Sequence, residues 1–321
     1  MTQYDVIVIG GSASGLQACL TFGRAYFNVL CIDSGYPCNR YAKESHNLLT
    51  HDGSSPGQIL AKAKEQLEKY PTIQLVEGTV TNVCKDVSVE AVKYSFRVEI
   101  DSPEDGSSSS FVAARVLFAS GLNDNIGRIP IENIDKFWGN SIIHCPFCHG
   151  AEFRKGKTGI YYTNASHLRF MLPTLYNWSH DLTVICPDDV YGSLEVDLLF
   201  AMQQKSIALH KGSVVKVETR SSEDGRLSRA ILDDGTAIEL DVLYLVPPST
   251  INNKEIITKL GVELDELGLI KVSPQQKTNV EGVFACGDNT TRMRGLAFVI
   301  GQGMVAAASI CHEILRERWT A

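Results

Sequence analysis

The chain has 321 residues, 44% of them hydrophobic and 21% charged, with a formal net charge of −7. That length predicts two domains and enough apolar side chains for a core without disulfide staples. The acidic balance, with no lysine/arginine run, excludes the basic footprint of a nucleic-acid-binding protein.

The N-terminus reads MTQYDVIVIGG. Its apolar run, Val6 to Ile9, is too short for a signal-peptide core, and no basic region precedes it. No stretch reads as approaching the ~18 apolar residues of a membrane span, so neither a membrane nor nucleic acid is expected as a partner. The predicted location is the cytoplasm, where thiols stay reduced. Of nine cysteines, Cys31, Cys186 and Cys286 lie in strand-like runs and Cys19 and Cys311 in helix-like ones. Those five read as small buried hydrophobes.

Val6 to Ile9 is the continuous apolar run of a parallel strand buried on both faces. Gly10, Gly11, Ser12, Ala13, Ser14 and Gly15 follow, then a helical pattern through Ala25 and a second strand, Val29 to Ile32, ending at Asp33. This is a β-α-β unit with the spacing of a dinucleotide site. Gly10 allows the tight turn, Gly15 close helix–sheet packing, and the helix N-terminus offers N–H groups to a pyrophosphate. Asp33 is placed to accept ribose hydroxyls. Ser12 stands where the middle glycine of G-x-G-x-x-G is usual.

DSPEDGSSSS, Asp101 to Ser110, reads as a polar β-turn excursion and a mobile surface loop. The segment VLFASGL places Ala119, Ser120 and Gly121 at the end of an apolar run. HCPFCHG follows, with Cys145 and Cys148 in C-x-x-C spacing and His144 and His149 on either side. By itself that string fits a redox dithiol, half a zinc site or a c-type haem attachment. A second β-α-β pattern comes next: strand Gly159 to Tyr162, helix near His167 to Trp178, strand Leu182 to Cys186. Its turn, Thr163 to Ser166, contains no glycine, and Pro187-Asp188-Asp189 follows its second strand. ILDDGTAIEL reads as a hairpin turning at Asp-Gly. A strand, Val283 to Cys286, then runs into Gly287-Asp288, and a last helix, Ala306 to Arg318, has an apolar face at Ile310, Ile314 and Leu315.

The succession of glycine loop, Ala119-Ser120-Gly121, C-x-x-C and Gly287-Asp288 resembles the low-molecular-weight thioredoxin reductase family over nearly the whole chain. Cys145 lies 24 residues after Gly121, as in that family. The resemblance implies an α/β fold of two Rossmann-like, FAD/NAD(P)-type three-layer domains. It divides the chain into a discontinuous FAD domain, 1–122 plus 247–321, and a central domain, 123–246, joined through GLNDN and VPPST. It implies a homodimer, and FAD as cofactor, held by Gly10 to Gly15, Asp33, Ser34, Asn39, Arg40, His46, Asn47, Ala119 to Gly121, Gly287, Asp288, Arg294, Gly295, Leu296 and Ala297.

Inside such a protein the dithiol reading prevails. No second C-x-x-C or nearby H-x-H completes a zinc site, and haem attachment belongs outside the cytosol, so no metal is expected. By resemblance Cys148 faces the flavin and Cys145 exchanges with substrate. His149 stands where the family carries an aspartate as acid/base, and imidazole titrates near neutrality. His144 is the other candidate base. Family members bind NADPH on the second β-α-β unit through a glycine loop and a basic cluster, and neither is present here. That combination resembles the FAD-dependent dithiol oxidases of the gliotoxin, holomycin and romidepsin type. It implies a small-molecule dithiol substrate, O2 as electron acceptor and no NADPH binding. The alternatives are a thioredoxin reductase fed by another carrier such as ferredoxin, and an idle FAD-binding redox sensor.

Overall fold

The computed structural model describes residues 3–86, 94–103, 106–219 and 225–320. The chain divides into two units: residues 1–40, 47–123 and 249–321 form one, residues 41–46 and 124–248 the other. The connections are short strands, Leu122–Asp124 and Ser249–Ile251.

In the first unit the strands Ile73–Glu77, Val29–Asp33, Gln3–Ile9 and Ser108–Phe118 lie side by side in parallel, and Val283–Ala285 pairs in parallel with the last of them. Phe96–Asp101 and Thr79–Lys85 extend the sheet antiparallel. Alternate residues of Gln3–Ile9 enter two cores. Val6 and Val8 join Leu16, Phe22, Ala306 and Ile310 on one face, while Ile7 and Ile9 join Phe96, Phe118 and Ile257 on the other. Burial on both faces is why the run shows no polar alternation.

The helices Ala13–Arg24 and Leu296–Thr320 meet backbone to backbone: a Cβ on Gly303 would stand 2.1 Å from the Ser14 carbonyl oxygen. The last helix therefore begins ten residues before the expected Ala306. Gly303 is not a break in this helix but its contact with Ser14. The helix's 25 residues are long and apolar enough to cross a membrane by length and composition, which corrects the expectation of no such stretch. Of its most apolar window, 44% is buried inside the fold.

A second correction concerns Asp101 to Ser110. Asp101 pairs with Ser108 and Ile100 with Ser109, so this stretch is mostly a hairpin with its turn near Gly106. Cross-strand backbone bonds outweigh the low strand propensity of the serines. Glu104 and Asp105 lie outside the described residues.

The second unit has a parallel sheet in the order Ala208–Lys211, Leu182–Cys186, Thr158–Tyr161, Val242–Tyr244, Ile142–Ile143. The helix Ala165–Trp178 packs Leu168, Leu172 and Leu175 on it, against Ile160 and Val184. A three-stranded antiparallel sheet, Val214–Glu218, Arg229–Leu232 and Ala237–Glu239, turns its last hairpin at Gly235, φ +86°, the Asp-Gly turn expected. Both units are Rossmann-like α/β layers. Cys19, Cys31, Cys186, Cys286 and Cys311 are all buried, as expected.

Candidate active site

The first unit brings its sequence motifs to one place. Gly10 sits at φ +109°, and a Cβ there would lie 2.4 Å from the Ala119 carbonyl oxygen and 2.8 Å from Ser120 Cα. A Cβ on Gly15 would strike the Gly10 carbonyl oxygen at 1.9 Å, and one on Gly287 the Ser14 hydroxyl at 2.6 Å. The Gly10–Gly15 loop, Ala119-Ser120 and Gly287 are thus in direct contact. Gly11 donates its N–H to Asp33 Oδ1 at 3.1 Å, fixing the acid beside the loop. Ser12 lies at φ −98° and ψ −161°, extended backbone that any residue adopts, so this position does not require glycine. Its side chain makes no capping bond, and the first turn of Ala13–Arg24 carries no acidic residue.

Around Gly287 the structure adds residues that motif reading missed. Gly287 N–H donates to Gln302 Oε1 at 3.1 Å, and buried Asn289 donates its amide to the Phe118 carbonyl at 3.0 Å. Arg294 reaches Asp288 at 3.6 Å and the Cys38 sulfur at 2.9 Å. Gly295, Leu296 and Ala297 open the last helix. Ser34 and Asn47 are exposed, Asn39 half-buried, and Arg40 donates to the Pro37 carbonyl. These contacts join residues far apart in sequence, and no local spacing signals them.

In the second unit Cys145 and Cys148 form a disulfide, with Cα atoms 5.3 Å apart. Pro146 opens the one-turn helix Pro146–His149 and Cys145 is its N-cap. A Cβ on Gly150 would meet the Pro146 carbonyl oxygen at 2.4 Å and the Trp178 and Tyr244 polar atoms at 3.1 Å, which locks the turn against the unit's core. Phe147 is exposed and stands edge-on to Trp178 at 5.3 Å. His149 Nε2 lies 3.3 Å from the Glu44 carbonyl oxygen. Burial holds its pKa below the ordinary histidine value, against the Glu44 carbonyl and the Glu152 charge, which act the other way. The His144 ring stacks on Trp138 at 5.8 Å.

His46, expected among the cofactor residues, belongs to the dithiol's own unit. Its ring is perpendicular to that of His149 at 6.0 Å, and its Nε2 is 3.3 Å from Glu152 and 3.5 Å from Glu44. Neighbouring Asn47, at φ +62°, stays in the first unit with its N–H bonded to Asp52 at 2.7 Å. Three of the other thiols are poor nucleophiles: burial pushes Cys186 and Cys311 to about 11 and Cys286 to about 12.

The second β-α-β turn differs from the first in one respect that matters. Asn164 caps the helix Ala165–Trp178, its side-chain oxygen accepting the His167 N–H at 3.2 Å. The turn lines a cleft of about 740 Å³ with Arg169, Phe170, Asp189 and Glu195. Arg169 is engaged by Glu195 and by Asp197 at 2.7 Å, and Lys211 by Asp188 at 3.1 Å.

Residues 196–308 match the family model described as pyridine nucleotide-disulphide oxidoreductase. The crystal structure of an oxidoreductase from Agrobacterium tumefaciens is 32% identical, with a TM-score of 0.83, over 98% of this chain and 99% of that one. The chain belongs to the pyridine nucleotide-disulphide oxidoreductase family. The crystal structure of HlmI is 28% identical, with a TM-score of 0.85, over 99% of this chain and 94% of that one. A thioredoxin reductase of Claviceps purpurea, tcpT, is 26% identical over 320 residues, covering 98% of this chain and 95% of its own.

This family member is a thioredoxin reductase-like FAD oxidoreductase acting on disulfides. The first unit fits the flavin's dinucleotide half on its own geometry. Gly10 and Gly15 hold the loop so close to Ala119 that no side chain fits, and no side chain claims the helix N-terminus. Asp33 is fixed where a ribose would need an acceptor. The second unit keeps the fold of a nicotinamide domain, but its helix N-terminus is already capped by Asn164.

Proposed function

We propose that this protein is a dithiol oxidase: it closes a disulfide in a small-molecule dithiol through Cys145–Cys148 and passes the electron pair through FAD to O2, yielding H2O2. The observation that carries the reading is the capped, glycine-free turn Thr163–Ser166, beside a formed Cys145–Cys148 disulfide. A pyrophosphate needs free N–H groups at this helix start, one of which Asn164 engages, and Arg169, which lines the cleft, is paired with carboxylates. Both features support a reading in which electrons enter from a dithiol rather than from NADPH.

A substrate thiolate attacks Cys145 Sγ, forming a mixed disulfide and releasing Cys148 as thiolate. His149 takes the proton of the second substrate thiol. That sulfur attacks the substrate side of the mixed disulfide, expelling Cys145 and closing the product ring. The His149 proton returns to Cys145, leaving two electrons on an enzyme pair of one thiol, Cys145, and one thiolate, Cys148; the substrate's first proton goes to solvent when its attacking thiol ionises. Bound FAD supplies the two-electron acceptor that restores the disulfide and delivers the pair to O2. Phe147 and Trp178 give the dithiol an apolar margin suited to a small organic substrate. Seven free cysteines fit a reducing cytoplasm.

The name thioredoxin reductase, carried by relatives such as tcpT, favours a second reading: reduction of thioredoxin with electrons from a carrier such as ferredoxin. One experiment separates the two. Dithiothreitol, NADPH and NADH are added separately to anaerobic holoenzyme, and the flavin band is followed. Bleaching by dithiothreitol alone, with peroxide appearing on admission of air, is expected. Rapid bleaching by micromolar NADPH overturns the oxidase reading, and thioredoxin turnover driven by reduced ferredoxin establishes the rival.

A further inference from the structure

We propose that the segment Tyr41–His46 is a strap that fixes the tautomer of His149, with His46 as its positioning residue. The inference rests on the role of His149 as base given above. A carbonyl oxygen only accepts, so the 3.3 Å contact from the Glu44 carbonyl to His149 Nε2 requires the hydrogen on Nε2. Nδ1 is then the atom left with a lone pair, and it is Nδ1 that receives the thiol proton. The imidazolium so formed keeps its Nε2–H on the Glu44 carbonyl, with the Glu44 and Glu152 carboxylates close by.

The strap is held at both ends. At its start Gly139, at φ +76°, lets the Tyr41 backbone pass: a Cβ there would lie 2.9 Å from the Tyr41 carbonyl carbon and 3.0 Å from its oxygen. At its end His46 Nε2 lies 3.3 Å from the Glu152 carboxylate and 3.5 Å from that of Glu44, an ion pair when the ring carries its proton. Glu152 lies in the turn Ala151–Phe153, which begins two residues after His149, so the His46–Glu152 contact joins the strap to the segment that carries the base. Ser45 between them is buried. The Glu44 carbonyl is thus placed by contacts on either side of it. The charged and titratable groups around the His149 ring are Glu44, His46 and Glu152, and the strap contributes two of the three.

The test is long-range ¹H–¹⁵N correlation of histidine-labelled holoenzyme, above the titration of His149, together with steady-state kinetics on dithiothreitol. The wild type is expected to show His149 as the Nε2–H tautomer. His46→Ala should give mixed tautomers and a kcat lower by roughly tenfold to a hundredfold, part of what a positioned base contributes, with KM nearly unchanged. His46→Gln, whose amide still donates to a carboxylate, should restore most of both. Flavin content and circular dichroism report folding, and Glu152→Gln replaces His46→Ala if the latter folds poorly. An unchanged Nε2–H tautomer in His46→Ala overturns the strap, whatever happens to kcat. A shifted tautomer with full kcat sustains the strap and removes His149 as the base. An enzyme that never oxidises dithiols still reports its tautomer, so the two readings fail separately.

Discussion

The side-chain oxygen of Asn164 accepts the backbone N–H of His167 at 3.2 Å, a capping bond with no counterpart at Ser12 in the first unit. Asn164→Ala should therefore cost about 1 kcal/mol of stability, the usual worth of such a cap. Ser12→Ala should cost little stability and instead weaken FAD retention. Denaturant titration of the two variants, with and without added FAD, checks the contrast.

Restoring a nicotinamide site should take more than one change. A charged-partner hydrogen bond is worth about 1.5–3 kcal/mol, so losing two lowers affinity by roughly a hundredfold or more. Thr163→Gly with Asn164→Gly should leave NADPH affinity poor, because Asp189 and Glu195 still line the cleft. Adding Asp189→Arg should strengthen it, as read by calorimetry. Tight NADPH binding by the unaltered protein would contradict the account of the cleft.

Gly10→Ala should yield a protein with little or no flavin. The added Cβ meets the Ala119 carbonyl at 2.4 Å, and φ +109° is strained for any side chain. The ratio of flavin to protein absorption in purified material measures this directly.

Cys145→Ser and Cys148→Ser should each abolish dithiol turnover while retaining FAD, since the cradle and the disulfide belong to different units. Full activity in either variant would move the chemistry to another thiol. Burial of Cys186, Cys286 and Cys311 argues against that.

The acid limb of kcat/KM should lie below about pH 6.5, the ordinary histidine value. Burial lowers the His149 pKa, so the neutral, proton-accepting ring persists to lower pH than in solution. The same shift affects stability. The unfolded chain binds this proton more readily than the folded one, so the contribution of His149 is present above about pH 6.5 and is lost as pH falls below it. His149→Asn should remove the limb, and a pH–rate profile extended downward tests it.

Arg115 is buried and bonded to Glu317 at 2.7 Å, with Glu313 at 3.5 Å and the Tyr94 ring 4.7 Å away. Arg115→Ala should destabilise the first unit by about 1.5–3 kcal/mol, the usual worth of hydrogen bonds to a charged group, because it removes the buried partner of the partly exposed Glu317. Thermal unfolding of that variant gives the value.

The repeating elements were legible because their signals are local. The run Val6–Ile9, the glycine loop and Asp33 fall within one β-α-β unit, and the structure places them as the spacing requires. The C-x-x-C likewise needs only a turn to bring its sulfurs together. What escaped was long-range. Nothing in the letters around Asp101 to Ser110 shows that serines will pair with Glu99 and Ile100. Nothing near Gly303 shows that it will press on Ser14, so the local pattern marks the last helix only from Ala306. His46 and Asn47 are neighbours in the sequence and were both expected at the cofactor, yet the chain divides between them.

That division has a consequence for inheritance. The dithiol unit is genetically split, since the stretch 124–248 carries Cys145, Cys148 and His149 while Glu44 and His46 are encoded far upstream. A crossover that exchanges only the central stretch between two relatives imports a redox pair without the peptide that touches its histidine. Recombination, natural or designed, must move both segments together, so substitutions at positions 41–46 should track those around the dithiol more closely than those of their immediate neighbours in the chain.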